Sequence, residues 1–266
     1  MSWLITGAQK TDPDALAYLA EVERADGQAL ESGVRDAVIA FVAGCKADGI
    51  WNAIKASCIL AGARTLNGAL VPLVGTAPAN VGPFVSGDYN RKTGLVGNGS
   101  TKYLNSNRAN NSDPQNNRHM SVYAQSGYEA VTANNLIGSS TFVTGPGQSY
   151  STIQQLNNEL RFLFAGDSTA FTFANPSPTI GGFIGQSRSS STTFTSRFNG
   201  VNVGRSSASV SSHINNHFVF CRNSDGNASN YSNARLAFYS IGESLDLSRL
   251  DARVTGLINA FAAAIP

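Results

Sequence analysis

The sequence predicts a mainly β protein: an antiparallel two-sheet jelly-roll sandwich with an N-terminal helical region and a C-terminal helix. Three observations carry this. After residue 97 the chain is crowded with Ser, Asn and Thr, and 26 glycines punctuate the 266 residues, as short strands joined by tight turns require. The first sixty residues repeat apolar side chains at helical spacing. The last stretch, Ala234 to Ile265, reads as a strand, a Gly242 turn and an amphipathic helix.

Taken in order, Asp12-Pro13 supplies an N-cap and a first-turn proline. The helix they open runs to about Ala25, with Leu16, Leu19 and Val22 on its apolar side, and Gly27 breaks it. A second helix, Gln28 to Ala47, carries Leu30, Val34, Val38, Phe41, Val42 and Cys45 on one stripe. Asp48-Gly49 interrupts, and Ile50 to Leu60 is expected as a third helix through Ile50, Trp51, Ile54 and Cys58. Two regions follow from this: residues 1–62 as a helical attachment or oligomerisation region, and 63–266 as a sandwich with a closing helix.

Residues 63–90 mix short β runs with Pro72, Pro78 and Pro83, which fits connecting chain plus an edge strand. Gly94 to Asn105, GLVGNGSTKYLN, reads as a hairpin around G-N-G-S, and Asn105 to Asn117 as a polar loop. His119 to Gln125 and Leu136-Ile137-Gly138 read as strands. Leu160–Phe164 and Thr169–Phe173 alternate around Gly166-Asp167, sending Phe162, Phe164, Phe171 and Phe173 to one layer. Thr193–Phe198 and Val201–Gly204 flank Asn199-Gly200, a strong hairpin signal. Phe218 to Cys221 is apolar on both faces, as a covered central strand should be. In the closing helix Leu247, Leu250, Val254, Leu257, Phe261 and Ile265 share a face, behind a Ser248-x-x-Asp251 capping box.

Two of these stretches carry a family resemblance. Val96-Gly97-Asn98-Gly99-Ser100-Thr101-Lys102-Tyr103-Leu104 and Arg235-Leu236-Ala237-Phe238-Tyr239-Ser240 resemble the opening hairpin and closing strand of concanavalin A-like, laminin G-like sandwiches. Asn199-Gly200-Val201 is similar to a turn frequent in them. Gly97 and Asn98 stand where the family usually has Phe-Asp, and the closing helix is longer. The resemblance implies the fold over about residues 63–265 and leaves activity open, because such sandwiches host lectins, enzymes and structural modules alike.

Composition narrows the function. Charged residues are 14% and the formal charge is +2, so no basic field points to nucleic acid or anionic lipid. No apolar run reaches the roughly 18 residues of a membrane span. The opening MSWLITGAQKTDPD lacks the basic n-region of a secretory signal, so synthesis in a cytoplasm is expected. Cys45, Cys58 and Cys221 read as buried thiols.

The search for catalytic chemistry returns little. Gly166-Asp167-Ser168 resembles the first block of the GDS-type ester hydrolases, but no Asp-x-x-His follows to activate the serine, so it reads as a hairpin turn. Asp113, Glu129, Glu159, Asp167, Asp225 and Glu243 are scattered singly, without the paired carboxylates of a glycosidase strand. His213-x-x-x-His217 has a ligand-like spacing but no third ligand nearby. Rim calcium could use Asp88, Asp113 or Asp225, with no readable spacing. No cofactor is expected, and the chain is expected not to be an enzyme.

A second resemblance supplies the leading functional expectation. Asp12 to Glu31, DPDALAYLAEVERADGQALE, and Gly49 to Leu73, GIWNAIKASCILAGARTLNGALVPL, are similar to structural proteins of tailed bacteriophages and phage-like particles. That implies a virion component (fibre, spike or decoration protein), usually a homo-oligomer, with other virion proteins as partners. Trp3, Leu4 and Ile5 are its expected interface anchors. A carbohydrate-binding receptor module recognising a host surface glycan is the alternative, and a glycan-cleaving enzyme the third. The Ser/Asn-rich loops around 105–117, 187–193 and 205–216 suit contact with water or sugar.

Overall fold

The computed structural model describes residues 12–126, 134–141, 149–156, 159–166, 169–174 and 181–266. Trp3, Leu4 and Ile5 lie outside the described residues, as do Asp167 and Ser168. Helix α1 (Pro13–Asp26) begins where Asp12 Oδ1 accepts from the backbone of Asp14 and Ala15, and ends at Gly27 in the left-handed region. Its buried side is Ala15, Tyr18, Leu19 and Val22, while Leu16 is 37% exposed. The inward face is thus one step round from the expected one, because Tyr18 rather than Leu16 meets the core. Helix α2 (Ser32–Ala47) buries the whole expected stripe from Val34 to Cys45.

The third helix is absent from Ile50–Leu60. A single 3₁₀ turn, Trp51–Ala53, leads into strand β1 (Ile54–Ile59). Ile54 and Ile59 pack toward the helices, and Ala56 and Cys58 toward the sandwich interior. A strand covered on both faces carries apolar residues at every position, and a run of that kind mimics a helical stripe. The short helix α3 (Leu66–Ala69) follows.

The chain continues through β2 (Ala79–Val81), β3 (Tyr89–Asn90), β4 (Gly94–Val96), β5 (Tyr103–Ala109), β6 (Arg118–Ser126) and β7 (Asn134–Ser140). Next come β8 (Tyr150–Leu156), β9 (Glu159–Gly166), β10 (Phe171–Ala174), β11 (Gly182–Arg188), β12 (Thr193–Phe198) and β13 (Val201–Ser206). The last are β14 (Asn216–Val219), β15 (Arg222–Ser224), β16 (Asn227–Ser229) and β17 (Arg235–Gly242), before helix α4 (Leu247–Ala264).

These strands build the expected two-sheet sandwich. One sheet runs β13-β12-β11-β6-β17-β4-β3, with β1 antiparallel to β17 beside β4. The other runs β10-β9-β8-β7-β14-β5-β2, with β15 parallel to β7 and β16 beyond it. Because β1 pairs with β17, the sheet begins before residue 63, where the sequence reading starts the sandwich. Strands β4 and β5 belong to different sheets, so G-N-G-S is a crossover and not a hairpin. Asn98 Oδ1 shapes it by accepting from the backbone of Ser100, Thr101 and Lys102. The polar stretch from Asn105 begins as strand β5 rather than loop. The two expected hairpins form, with Phe162 opposite Phe171 and Phe198 opposite Val201. Asn199 (φ 49) and Gly200 (φ 75) both take the left-handed conformation a type I′ turn needs.

Two cores result, and together they make three layers. Between the sheets lie Leu95, Leu104, Val122, Ile137, Ile153, Phe162 and Tyr239. Between the first sheet and the helices lie Leu19, Val38, Phe41, Phe238, Leu250 and Phe261. The α4 stripe is buried at all six expected positions. Its N-cap is Asp246, accepting from Ser248 and Arg249, and not the expected Ser248 box; Asp251 instead binds Arg197 of β12 at 2.8 Å.

Candidate binding cleft

A broad concavity lies where the helical layer meets the β1 edge. Helix α2 ends in Asp48-Gly49, and the turn that follows leaves Trp51 half-buried, packed against the helical core with part of the ring facing outward. The indole borders two adjoining hollows of about 620 and 310 Å³, both of which it lines together with Asp14. Asp14 is in the first turn of α1, and its Oδ2 accepts from Trp51 Nε1 at 3.2 Å. Lys46, in the last turn of α2, reaches the same carboxylate at 2.7 Å and both oxygens of Asp12 at 2.8 Å. Its ammonium also stands 5.8 Å from the centre of the Trp51 ring. Burial works against the Asp12 charge, but the Lys46 and backbone hydrogen bonds outweigh it and hold that carboxyl below its usual range. The same two carboxylates raise the Lys46 pKa. The indole edge and the Asp14 oxygen are therefore fixed relative to each other.

The opposite wall of the larger hollow is a strap from Leu70 to Val74. Ser57 N donates to Val74 O, and Leu73 N donates back to Ser57 O, so the strap is laced to β1. Gly75 turns the chain away at φ 86, where a Cβ would stand 2.5 Å from Lys55 O; only glycine fits. Ahead of α3, which leads into the strap, Asp26 accepts from the backbone of Arg64 and Thr65, tying that segment to the end of α1. Glu21 and Arg24 pair with each other at the outer lip. The result is an apolar floor, one aromatic ring, and carboxylates at the margin.

The three Ser/Asn-rich loops are brought together at one end of the sandwich. Ser209 N donates to Ser191 O, Gln115 Nε2 to Ser209 Oγ, and His213 N to Asn110 Oδ1. Two buried guanidiniums pin them from beneath. Arg188 donates to the carbonyls of Phe164, Ser190, Thr193 and Ser207, and Arg118 to Pro114 O, Asp113 O and Asn110 Oδ1. Desolvation pushes both guanidinium pKa values down to about 10. These loops form a held, largely uncharged rim.

The other sequence candidates take structural places. His217 is buried, its Nδ1 2.8 Å from Ser139 Oγ, and His213 Nδ1 accepts from Asn215 N. Asp113 binds Arg108 and Asp88 binds Lys102, so both carboxylates have cationic partners. Among the described residues no three His, Cys, Asp or Glu side chains gather as a metal site would require. The three cysteines are free and buried, with Cys45 and Cys58 pushed up to about 12 by desolvation. No described helix is long and apolar enough to cross a membrane. Sequence reasoning missed the cleft because it placed Trp51 on the core side of a helix. The available signal was a tryptophan directly after an Asp-Gly turn and an isoleucine.

No protein-family model matches the chain, and no curated protein sequence matches it. Solved structures share its fold at low identity. The binding domain of botulinum neurotoxin serotype D is 13% identical, with a TM-score of 0.51 over 77% of this chain and 52% of that one. The sialidase of Trypanosoma rangeli is 11% identical, with a TM-score of 0.50 over 78% of this chain and 33% of that one. The chain thus spans between a third and a half of these two structures. They are β-sandwich neighbours, and neither is a phage protein. The sialidase corrects one expectation: a chain sharing its fold with a glycan-cleaving enzyme is not placed outside the enzymes by missing sequence motifs.

Proposed function

We propose that this chain is a β-sandwich carbohydrate-binding module whose binding site is the cleft across Trp51. The observation that carries the reading is a half-buried indole lining two adjoining hollows, with a carboxylate oxygen hydrogen-bonded beside it. Sugars present apolar C–H faces that lie on aromatic rings, and hydroxyls that donate to carboxylates. Both hollows fall within the roughly 300–1,000 Å³ of small-ligand sites. The fold shared with a toxin binding domain and a sialidase supports this reading.

The expected result is saturable binding of the purified chain to immobilised oligosaccharides, with a shift in tryptophan emission on titration. Trp51→Ala should weaken binding at least tenfold, about 1.4 kcal/mol, in protein that is still folded at the assay temperature, although its melt is lowered because the indole also packs against the helical core. Binding unchanged by Trp51→Ala would remove the cleft from the reading.

The phage resemblance of residues 12–31 and 49–73 supports a setting for that binding: a virion appendage or decoration protein recognising a host surface glycan, with Trp3, Leu4 and Ile5 as the anchor to other virion proteins or to further copies. Deleting Met1 to Gln9 should leave the melt within a degree or two of full length and abolish incorporation into particles. Particles that still contain the truncated chain would exclude that anchor.

A further inference from the structure

The charges around the cleft go further than sugar binding and bear on which sugars. We infer that the cleft selects uncharged, linear oligosaccharides of at least two units and discriminates against sugars bearing a carboxylate. The inference rests on the glycan reading above.

Length comes from the geometry. Trp51 and Asp14 line both hollows, so the two compartments adjoin and share the indole and the carboxylate. A single sugar would occupy one of them; a linear chain spanning the two occupies both, with the shared carboxylate within reach of hydroxyls from either unit.

Charge selection comes from the bookkeeping of ionic groups. Asp12, Asp14 and Glu21 put three carboxylates at or beside the cleft, against Lys46 and Arg24. Lys46 is engaged by Asp12 and Asp14 at once, both at 2.7–2.8 Å. A carboxylate on the ligand would have to displace one of them. Arg24 pairs with Glu21, and both are largely exposed, at 74% and 56%. That pair is loose and screened by water, so what opposes an acidic sugar is the excess of carboxylates over cations at the cleft, to which Glu21 contributes. Neutral hydroxyls need no free cation and are served by the carboxylate acceptors already present.

The test is calorimetric titration of the full chain with a neutral oligosaccharide series from one to four units, and with the same glycans capped by sialic acid. Affinity should rise from one to two units and level off, and the capped glycans should bind at least tenfold more weakly. Glu21→Gln, which removes one carboxylate from the lip and leaves Arg24 unpaired, should narrow that gap severalfold. Capped glycans that bind as well as neutral ones, through a site still lost in Trp51→Ala, would overturn the selectivity and leave the glycan reading standing. Absence of any Trp51-dependent glycan binding would overturn both.

Discussion

Replacing Phe261 by Asp is expected to destabilise the protein by about 4 kcal/mol or more. Phe261 is 1% exposed in the core between the helices and the first sheet, among Leu19, Val38 and Phe238. An aspartate there has no cation within the apolar seam, and an unpaired buried charge is among the costliest single changes. The neighbouring Ala262→Asp, on the solvent side of α4, should change stability by only about 0.5 kcal/mol. Comparison of the two melting curves is decisive. A Phe261→Asp melt close to wild type would mean that α4 does not seal the sheet.

Acid should unfold the protein in a window set by its three histidines. His119 is enclosed between Glu243 O and Ser240 Oγ, both at 2.6 Å. Burial pushes its pKa down to about 4, and does the same for His213. His217 is also pushed well below its ordinary value, by burial and then by the charges of His213, Arg118 and Arg108. In the unfolded chain all three return to about 6.5. As pH falls, the unfolded state therefore takes up protons first. Stability is complete above about pH 6.5 and is lost progressively down to about pH 4, below which His119 and His213 add nothing more. Each contributes about 3 kcal/mol across that window, a large share of the roughly 5–15 kcal/mol of a typical domain.

Glu31 acts in a separate, lower window. Arg91 holds it at about 2 against a usual 4.5, so its contribution is present above 4.5 and disappears only below it. Urea midpoints compared at about pH 7 and about pH 4.5 should show the histidine loss, and His119→Gln should reduce it. Equal midpoints at the two pH values would show that these histidines charge without unfolding the chain.

The sequence by itself determined most of what is periodic or local. The six-residue α4 stripe, the Asp12-Pro13 start of α1 and the Asn199-Gly200 hairpin depend on nearest neighbours along one element, and spacing alone reveals them. The two-sheet sandwich was legible because turn residues and alternating runs recur through the second half.

What only the tertiary structure decided is what depends on a partner distant in sequence. Ile50–Leu60 carries a helical pattern, yet β17, some 180 residues later, draws Ile54–Ile59 into the sheet because both faces of β1 are covered. Asp251 is engaged by Arg197 of β12, a partner 54 residues earlier that no local motif reveals. The cleft belongs wholly to this second kind. Its parts come from the start of α1, the end of α2, the turn at Trp51 and the strap at Leu70–Val74, and each alone looks like an ordinary helix end or loop. Only when β1 joins β17 and the strap is laced to Ser57 do the indole, the Asp14 carboxylate and the apolar floor face one another.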